Sequence, residues 1–201
     1  MRRSVPPRFD VPDHPAAGEG GEPAAAPDKR GFRRELSFSA LFLILFFALQ
    51  FAYSLTRGSA VETVVIDLAT VKPSAAVIGW IAPLERARAQ GHRIVSTHGS
   101  LSVLNGCEGT ESLFLLLAAI FAYPMPWYAR LKGAVLGATL IYLLNQVRIV
   151  ALYFAHRHSA AAFDLLHGYV APTLIILLAS LFFLWWIGRK ECRTHGPDAS
   201  A

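Results

Sequence analysis

The sequence predicts an all-α integral membrane protein, a polytopic helical bundle with about four transmembrane helices and a short outer hairpin or amphipathic segment. Three observations lead there. The 201 residues are 54% hydrophobic, with a mean hydropathy of +0.40, too apolar for an ordinary soluble domain of this size. Four apolar runs, Leu36–Thr56, Ser112–Ala129, Gly133–Ala155 and Gly168–Gly188, meet or approach the roughly 20 residues that a helix needs to cross the hydrocarbon layer. The basic residues behind the net charge of +5 are not gathered on one polar domain, as a nucleic-acid surface would require. They cluster beside the apolar runs and read as topology signals, so no nucleic-acid partner is expected.

Taken in order, residues 1–31 are rich in Pro, Ala and Gly, carry mixed charge and lack apolar periodicity. They cannot bury enough surface to offset chain entropy, and are expected to form a disordered cytoplasmic tail over 1–35, up to the first span. A cleaved signal peptide with Gly58-Ser59-Ala60 as its small-residue site is the rival reading, but the apolar run is long for that and starts late. Beyond the first span, Val61, Val64, Val65 and Leu68 repeat at helical spacing with Glu62 and Asp67 off the stripe, before Pro73 breaks the pattern. An amphipathic helix on the outer membrane surface is expected. Ser100 to Val103 then alternate in period two, which suggests a strand or hairpin delivering the chain to Cys107. The second span is the weakest, since Pro124 and Pro126 interrupt its inner end, and a re-entrant or tilted helix is an alternative. Spans and connections make a membrane-embedded domain over 36–190, followed by a cytoplasmic tail over 191–201.

Orientation follows from the short flanks. Lys29, Arg30, Arg33 and Arg34 precede the first span, Arg130 and Lys132 join the second to the third, and Arg189, Lys190 and Arg193 follow the fourth. With four spans these regions share one side, the cytoplasmic one. The stretch from Arg57 to Glu111 and the connection from His156 to His167 then face outward, although Arg57, Arg86, Arg88 and Arg93 dilute the signal.

Three side chains fall near the outer end of different spans. Cys107 lies in Asn105-Gly106-Cys107-Glu108-Gly109, where the glycines allow a tight turn and the following helix N-terminus favours thiolate, while Glu108 and Glu111 oppose it. Cys192 is expected on the other side, so the two cysteines cannot pair with each other, and the Cys107 thiol is expected to face an oxidising compartment. Arg148 follows the uncharged run 133–147, roughly 22 Å from the inner end of its helix, and at that depth it needs partners other than lipid. Asn145, three residues earlier, shares its face. His167 starts the fourth span, and Asp164, one turn before it, is placed to orient the ring for acid and base work. Each has a blander reading: Cys107 as a small buried hydrophobe, Arg148 as a structural partner of Glu111, His167 as an interfacial bystander like His92, His98, His156 or His158. No H-E-x-x-H pair or phosphate-binding loop occurs, and no metal or other cofactor is expected.

Together these motifs resemble the exosortase/archaeosortase family of integral membrane cysteine transpeptidase-like enzymes. Asn105 to Gly109 is similar to the family's cysteine turn, Asn145 to Ile149 to its Asn-x-x-Arg helix, and His167 to the third, basic member. A histidine there is similar to bacterial exosortases, and four spans to the short M-type or H-type members. The resemblance implies a bacterial inner membrane enzyme with its site facing the periplasm. Cys107 would attack a peptide bond beside the C-terminal transmembrane helix of substrate proteins carrying a PEP-CTERM-like sorting signal, forming a thioester. Arg148 would steady thiolate and oxyanion, and His167 would move the protons. Membrane lipid is the other expected partner. The rival classes are a non-enzymatic membrane assembly or scaffold protein and a membrane thiol oxidoreductase, the latter lacking a second outer cysteine to resolve a disulfide.

Overall fold

A computed structural model of the chain describes residues 29–103 and 106–194. The expected disordered tail, but for its last residues, falls outside the described residues, as do Asn105 and the side chain of Cys192. Four helices form an up-and-down bundle: α1 (Lys29–Ser54), α4 (Thr110–Ala122), α5 (Trp127–His158) and α7 (Ala171–Thr194). Side-chain pairs fix their directions. Phe38 meets Tyr123 at one end of the α1/α4 pair, and Tyr53 meets Phe114 toward the other. On α5, Gly137 faces Leu116 of α4 and Phe182 of α7, while Gly133 faces Trp186. In the order α1, α4, α5, α7 each helix therefore runs opposite to the one before it, and Cys107 lies at the end opposite Trp127.

By length and composition four helical stretches can cross a membrane: Glu35–Ser54, Ala60–Ile81, Trp127–His158 and Ala160–Arg189. The number expected from the sequence stands, but the membership differs. The expected span Ser112–Ala129 is a helix of 13 residues, about 20 Å long. It stops at Ala122 because Tyr123, before Pro124, is extended (φ −71°, ψ 134°), the conformation a following proline ring imposes. Trp127, directly after Pro126, then starts α5 six residues before the expected Gly133. At the far end of α5 the polar stretch 156–167, expected as a connection, is almost wholly helical. Only Ser159 is extended (φ −167°, ψ 136°), and its hydroxyl accepts from the Ala162 N–H to cap α6 (Ala160–Leu165), which continues into α7.

The buried stripe of α5 runs Ala129, Gly133, Gly137, Ile141, Asn145, Ile149. Its small lower half lets α4 and α7 approach closely, as in other membrane helix pairs. A Cβ added at Gly133 would lie 2.5 Å from the indole nitrogen of Trp186, a ring stacked on Phe182. We therefore expect Gly133→Ala to lower stability by about 1–3 kcal/mol. Thermal unfolding in detergent reads it, and an unchanged midpoint would show that this contact is soft.

A second hydrophobic cluster caps the Cys107 end. Ile66, Val71, Ala75 and Ile78 of the stretch Ala60–Ile81 pack with Ile94 and Leu101 of the sheet, with Val103 just past it and with Ile149, Leu152 and Tyr153 of α5. The amphipathic helix expected to break at Pro73 runs through it. It comprises α2 (Ala60–Thr63), a π-helical stretch Val64–Val71 and α3 (Lys72–Ile81). The wider turn removes the clash between the proline ring and the carbonyl of Ala69, four residues back, and the orphaned carbonyl accepts from the Gln146 side chain at 3.0 Å. Ser74 donates to the other end of the same amide at 2.6 Å. Proline is tolerated here because α5 supplies the missing donor.

The expected hairpin is a three-stranded antiparallel sheet, β1 (Arg88–Gln90), β2 (Arg93–Ser96) and β3 (Gly99–Ser102), in that order. Leu101 and Ile94 pair across it and face the cluster. Glu85 fastens it. Its buried carboxylate accepts from the Tyr153 hydroxyl at 2.7 Å, lies 3.2 Å from His98 Nδ1 and pairs with Arg157, both Tyr153 and Arg157 being on the last two turns of α5. The Tyr153 hydrogen bond, then His98 and Arg157, hold it below the usual carboxylate range against the opposing effect of burial. A depressed acid stabilises the fold above its unfolded pKa of about 4.3, and that contribution is lost as the pH falls through the lower folded value. Melting curves on acidification should therefore fall more steeply for the native protein than for Glu85→Gln, which starts lower at neutral pH. Parallel curves would remove Glu85 from the acid response.

Candidate functional site

The turn that carries Cys107 is built by its neighbours. Gly106 and Gly109 adopt φ +94° and +80°, conformations that L side chains rarely adopt. Glu108, buried at the same turn, accepts from the Gly106 N–H at 2.6 Å, and its other oxygen accepts from the hydroxyls of Thr110 and Tyr53, each at 3.3 Å. The carboxylate noticed in the sequence only as an opponent of the thiolate thus holds the turn shut and ties it to α1. Gly109 is the N-cap of α4 and packs on α5 so closely that a Cβ there would come within 2.8 Å of the Asn145 amide carbon. Cys107, half-buried, leans against the cap cluster.

Asn145 is fully buried, and among the described residues its Oδ1 has no hydrogen-bond partner. One turn further along the same face, Arg148 keeps its Nε buried and likewise without a hydrogen-bond partner. Two buried polar atoms on adjacent turns of one face, both unspent, are costly in a purely structural role. From Trp127 to Asn145 is roughly 27 Å along α5, and roughly 20 Å of helix continues beyond to carry the cap. The cysteine turn is therefore recessed beneath the cap and not at the tip of the bundle.

His167 reaches the same place from the other side. It sits in a π-helical stretch, Leu166–Val170, two residues before Pro172, repeating the arrangement at Pro73. π-Turns of this kind recur at functional sites because they displace one side chain from the regular helical face. The imidazole Nδ1 lies 3.9 Å from Cys107 Sγ. Its ring stacks on Phe163, centroids 5.4 Å apart and planes within 4°, and His156 meets Phe163 edge-on. Phe163, one turn back, sets the plane of the ring. Asp164, expected in that role, is exposed and makes no hydrogen bond or ion pair with His167 among the described residues.

The remaining sequence candidates separate. Glu111 is exposed on the α1 side of α4, and among the described residues no ion pair joins it to Arg148. Asn105 lies outside the described residues. Among the other histidines expected to face outward, His92 contacts Asp67 at 2.5 Å and His98 contacts Glu85, so both fasten the sheet. Two partners went unread in the sequence. Glu108 gave the signal of an acid inside a Gly-flanked turn. Phe163 gave none beyond lying four residues before His167.

A bundle of apolar helices that recesses a cysteine–histidine pair beneath a cap, with buried polar atoms of Asn145 and Arg148 on the neighbouring helix, defines a polytopic membrane protein with a polar site toward one end. The sequence matches the model of the transmembrane exosortase family over residues 30–186, and the chain belongs to that family. No curated protein and no solved structure matches it.

Proposed function

We propose that this exosortase is a membrane cysteine peptidase or transpeptidase that cleaves a C-terminal sorting signal, of the PEP-CTERM-like kind, from proteins held by a C-terminal transmembrane helix. The observation that carries it is the 3.9 Å approach of Cys107 Sγ, in the turn before α4, and His167 Nδ1, in the π-helical stretch before α7. That is long for a hydrogen bond, as catalytic contacts often are before substrate arrives. His167 takes the thiol proton as Sγ attacks the scissile carbonyl. The oxyanion of the tetrahedral intermediate draws on the unspent donor of Arg148 and the positive end of α4. His167 then protonates the leaving amine, which departs with the substrate's membrane helix. The thioester left on Cys107 is resolved by water or an amine that gives its proton to His167.

Basic flanks before α1, between α4 and α5 and after α7 support a site on the periplasmic side of the bacterial inner membrane. Reporter fusions after residues 131 and 195 should be active only in the cytoplasm, and one after residue 103 only outside. Periplasmic activity at 131 or 195 would overturn that orientation. The chemistry is tested by trapping. With the native protein and a co-encoded secreted protein ending in an apolar helix and basic tail, a hydroxylamine-sensitive adduct of its N-terminal fragment should form on Cys107 during turnover and be absent from Cys107→Ala. A protein that supports export yet never forms the adduct, and tolerates Cys107→Ser, is a scaffold.

A further inference from the structure

We infer that the groove between α1 and the Cys107 turn seats the substrate chain where it leaves its own membrane helix, and that Arg57 selects an acidic side chain there. The inference rests on the cysteine-enzyme reading of the same turn and adds where the substrate lies and what it must carry. The groove encloses about 480 Å³, within the roughly 300–1,000 Å³ typical of ligand sites. One wall is the outer end of α1, with Phe47, Gln50 and Phe51, and Arg57 just past the helix. The other wall is the turn itself, Gly106 and Glu108, with Glu111 beyond. Since Gly106 and Glu108 flank Cys107, a chain lying in this groove runs along the turn that carries the thiol.

The occupant follows from the character of the two walls. In α1 none of the best apolar window is buried within the protein, and Phe47 and Phe51 are 63% and 66% exposed. That helix offers an unpartnered apolar face along the bilayer, leading toward the turn, which suits a second apolar helix laid beside it. Where the groove leaves the apolar zone, its charges divide by side. The α4 wall carries only carboxylates, Glu108 and Glu111, whereas the α1 wall carries only a guanidinium. Glu108 is occupied by Gly106, Thr110 and Tyr53. Among the described residues no ion pair engages Arg57 or Glu111. A polypeptide strand crossing between them is forced into register: an acidic side chain pairs with Arg57 and is repelled from the opposite wall, which sets the backbone against the cysteine turn.

Full-length Cys107→Ala protein carrying a benzophenone amino acid at Phe51 is irradiated in cells that make a co-encoded secreted protein ending in an apolar helix and basic tail. It should crosslink to that protein, whereas the same probe at Leu174 of α7, 52% exposed, should not. Crosslinks at 174 without 51, or to lipid alone at 51, overturn the groove. With native Cys107, Arg57→Glu should lower processing about tenfold or more. Exchanging the acidic residue before the substrate's helix for lysine should restore it. Unchanged processing by Arg57→Glu, or no restoration by any such exchange, removes Arg57 as the selecting group. If the wild-type chain cleaves nothing while the crosslink at 51 forms, the seat stands and the cysteine-enzyme reading fails.

Discussion

Cys107→Ala is expected to abolish processing of a C-terminally signalled substrate while leaving the protein folded and inserted. The two halves of that expectation have separate physical grounds. Cys107 contributes one half-buried sulfur at the edge of the cap cluster, so its loss costs on the order of 1 kcal/mol of packing. The turn does not depend on it, because Glu108 grips the Gly106 N–H, Thr110 and Tyr53, and Gly109 stays seated on Asn145. Chemically the loss is total, since no other thiol among the described side chains could form the thioester. Removing a covalent nucleophile typically costs roughly 10⁶-fold in rate. The measurement is accumulation of uncut substrate by immunoblot, alongside the detergent melting midpoint of the purified variant. Normal cleavage by a normally melting Cys107→Ala protein would end the cysteine-enzyme reading and return Arg148 and Asn145 to the role of bundle glue.

What the sequence disclosed and what it hid divide along one physical line. Cys107, Arg148 and His167 were legible because each is polar in or beside a long apolar stretch, where a polar group needs a reason. Two of the three lie within contact distance in the fold. The four apolar runs were legible for the complementary reason, that lipid demands them. Features that depend on a partner far along the chain were not. Pro73 signals a helix end until Gln146, across on α5, takes the Ala69 carbonyl that the proline cannot satisfy. The polar run His156 to His167 looks like a loop by composition. Arg157 is in fact drawn to Glu85, and Ser159 alone breaks the helix. Asp164 and Phe163 are both one helical turn or so from His167, and spacing does not decide between an acid and an aromatic partner. The fold does, by leaving Asp164 exposed and stacking Phe163 on the ring.

Arg148→Lys is expected to cost roughly 10² to 10³ in turnover, the scale of losing one preorganised oxyanion donor, with little change in KM. Lysine keeps the positive charge, so a role resting on charge alone predicts a mild variant. The geometry predicts a severe one. Arg148 holds its Nε–H buried and, among the described residues, without an acceptor, one turn beyond the buried Asn145 that abuts the α4 N-cap. A donor desolvated in advance costs folding energy and is most valuable where negative charge appears only during reaction. Lysine has no planar fork and no donor at the Nε position, and its flexible ammonium would have to find the oxyanion after it forms. The effect should therefore fall on kcat, since ground-state substrate has no full charge at that point. Single-turnover cleavage by native and Arg148→Lys proteins of matched melting midpoint separates the cases. Equal rates would show that position 148 needs only a cation, whereas a lowered melting midpoint with the rate intact would make Arg148 a structural residue of the bundle.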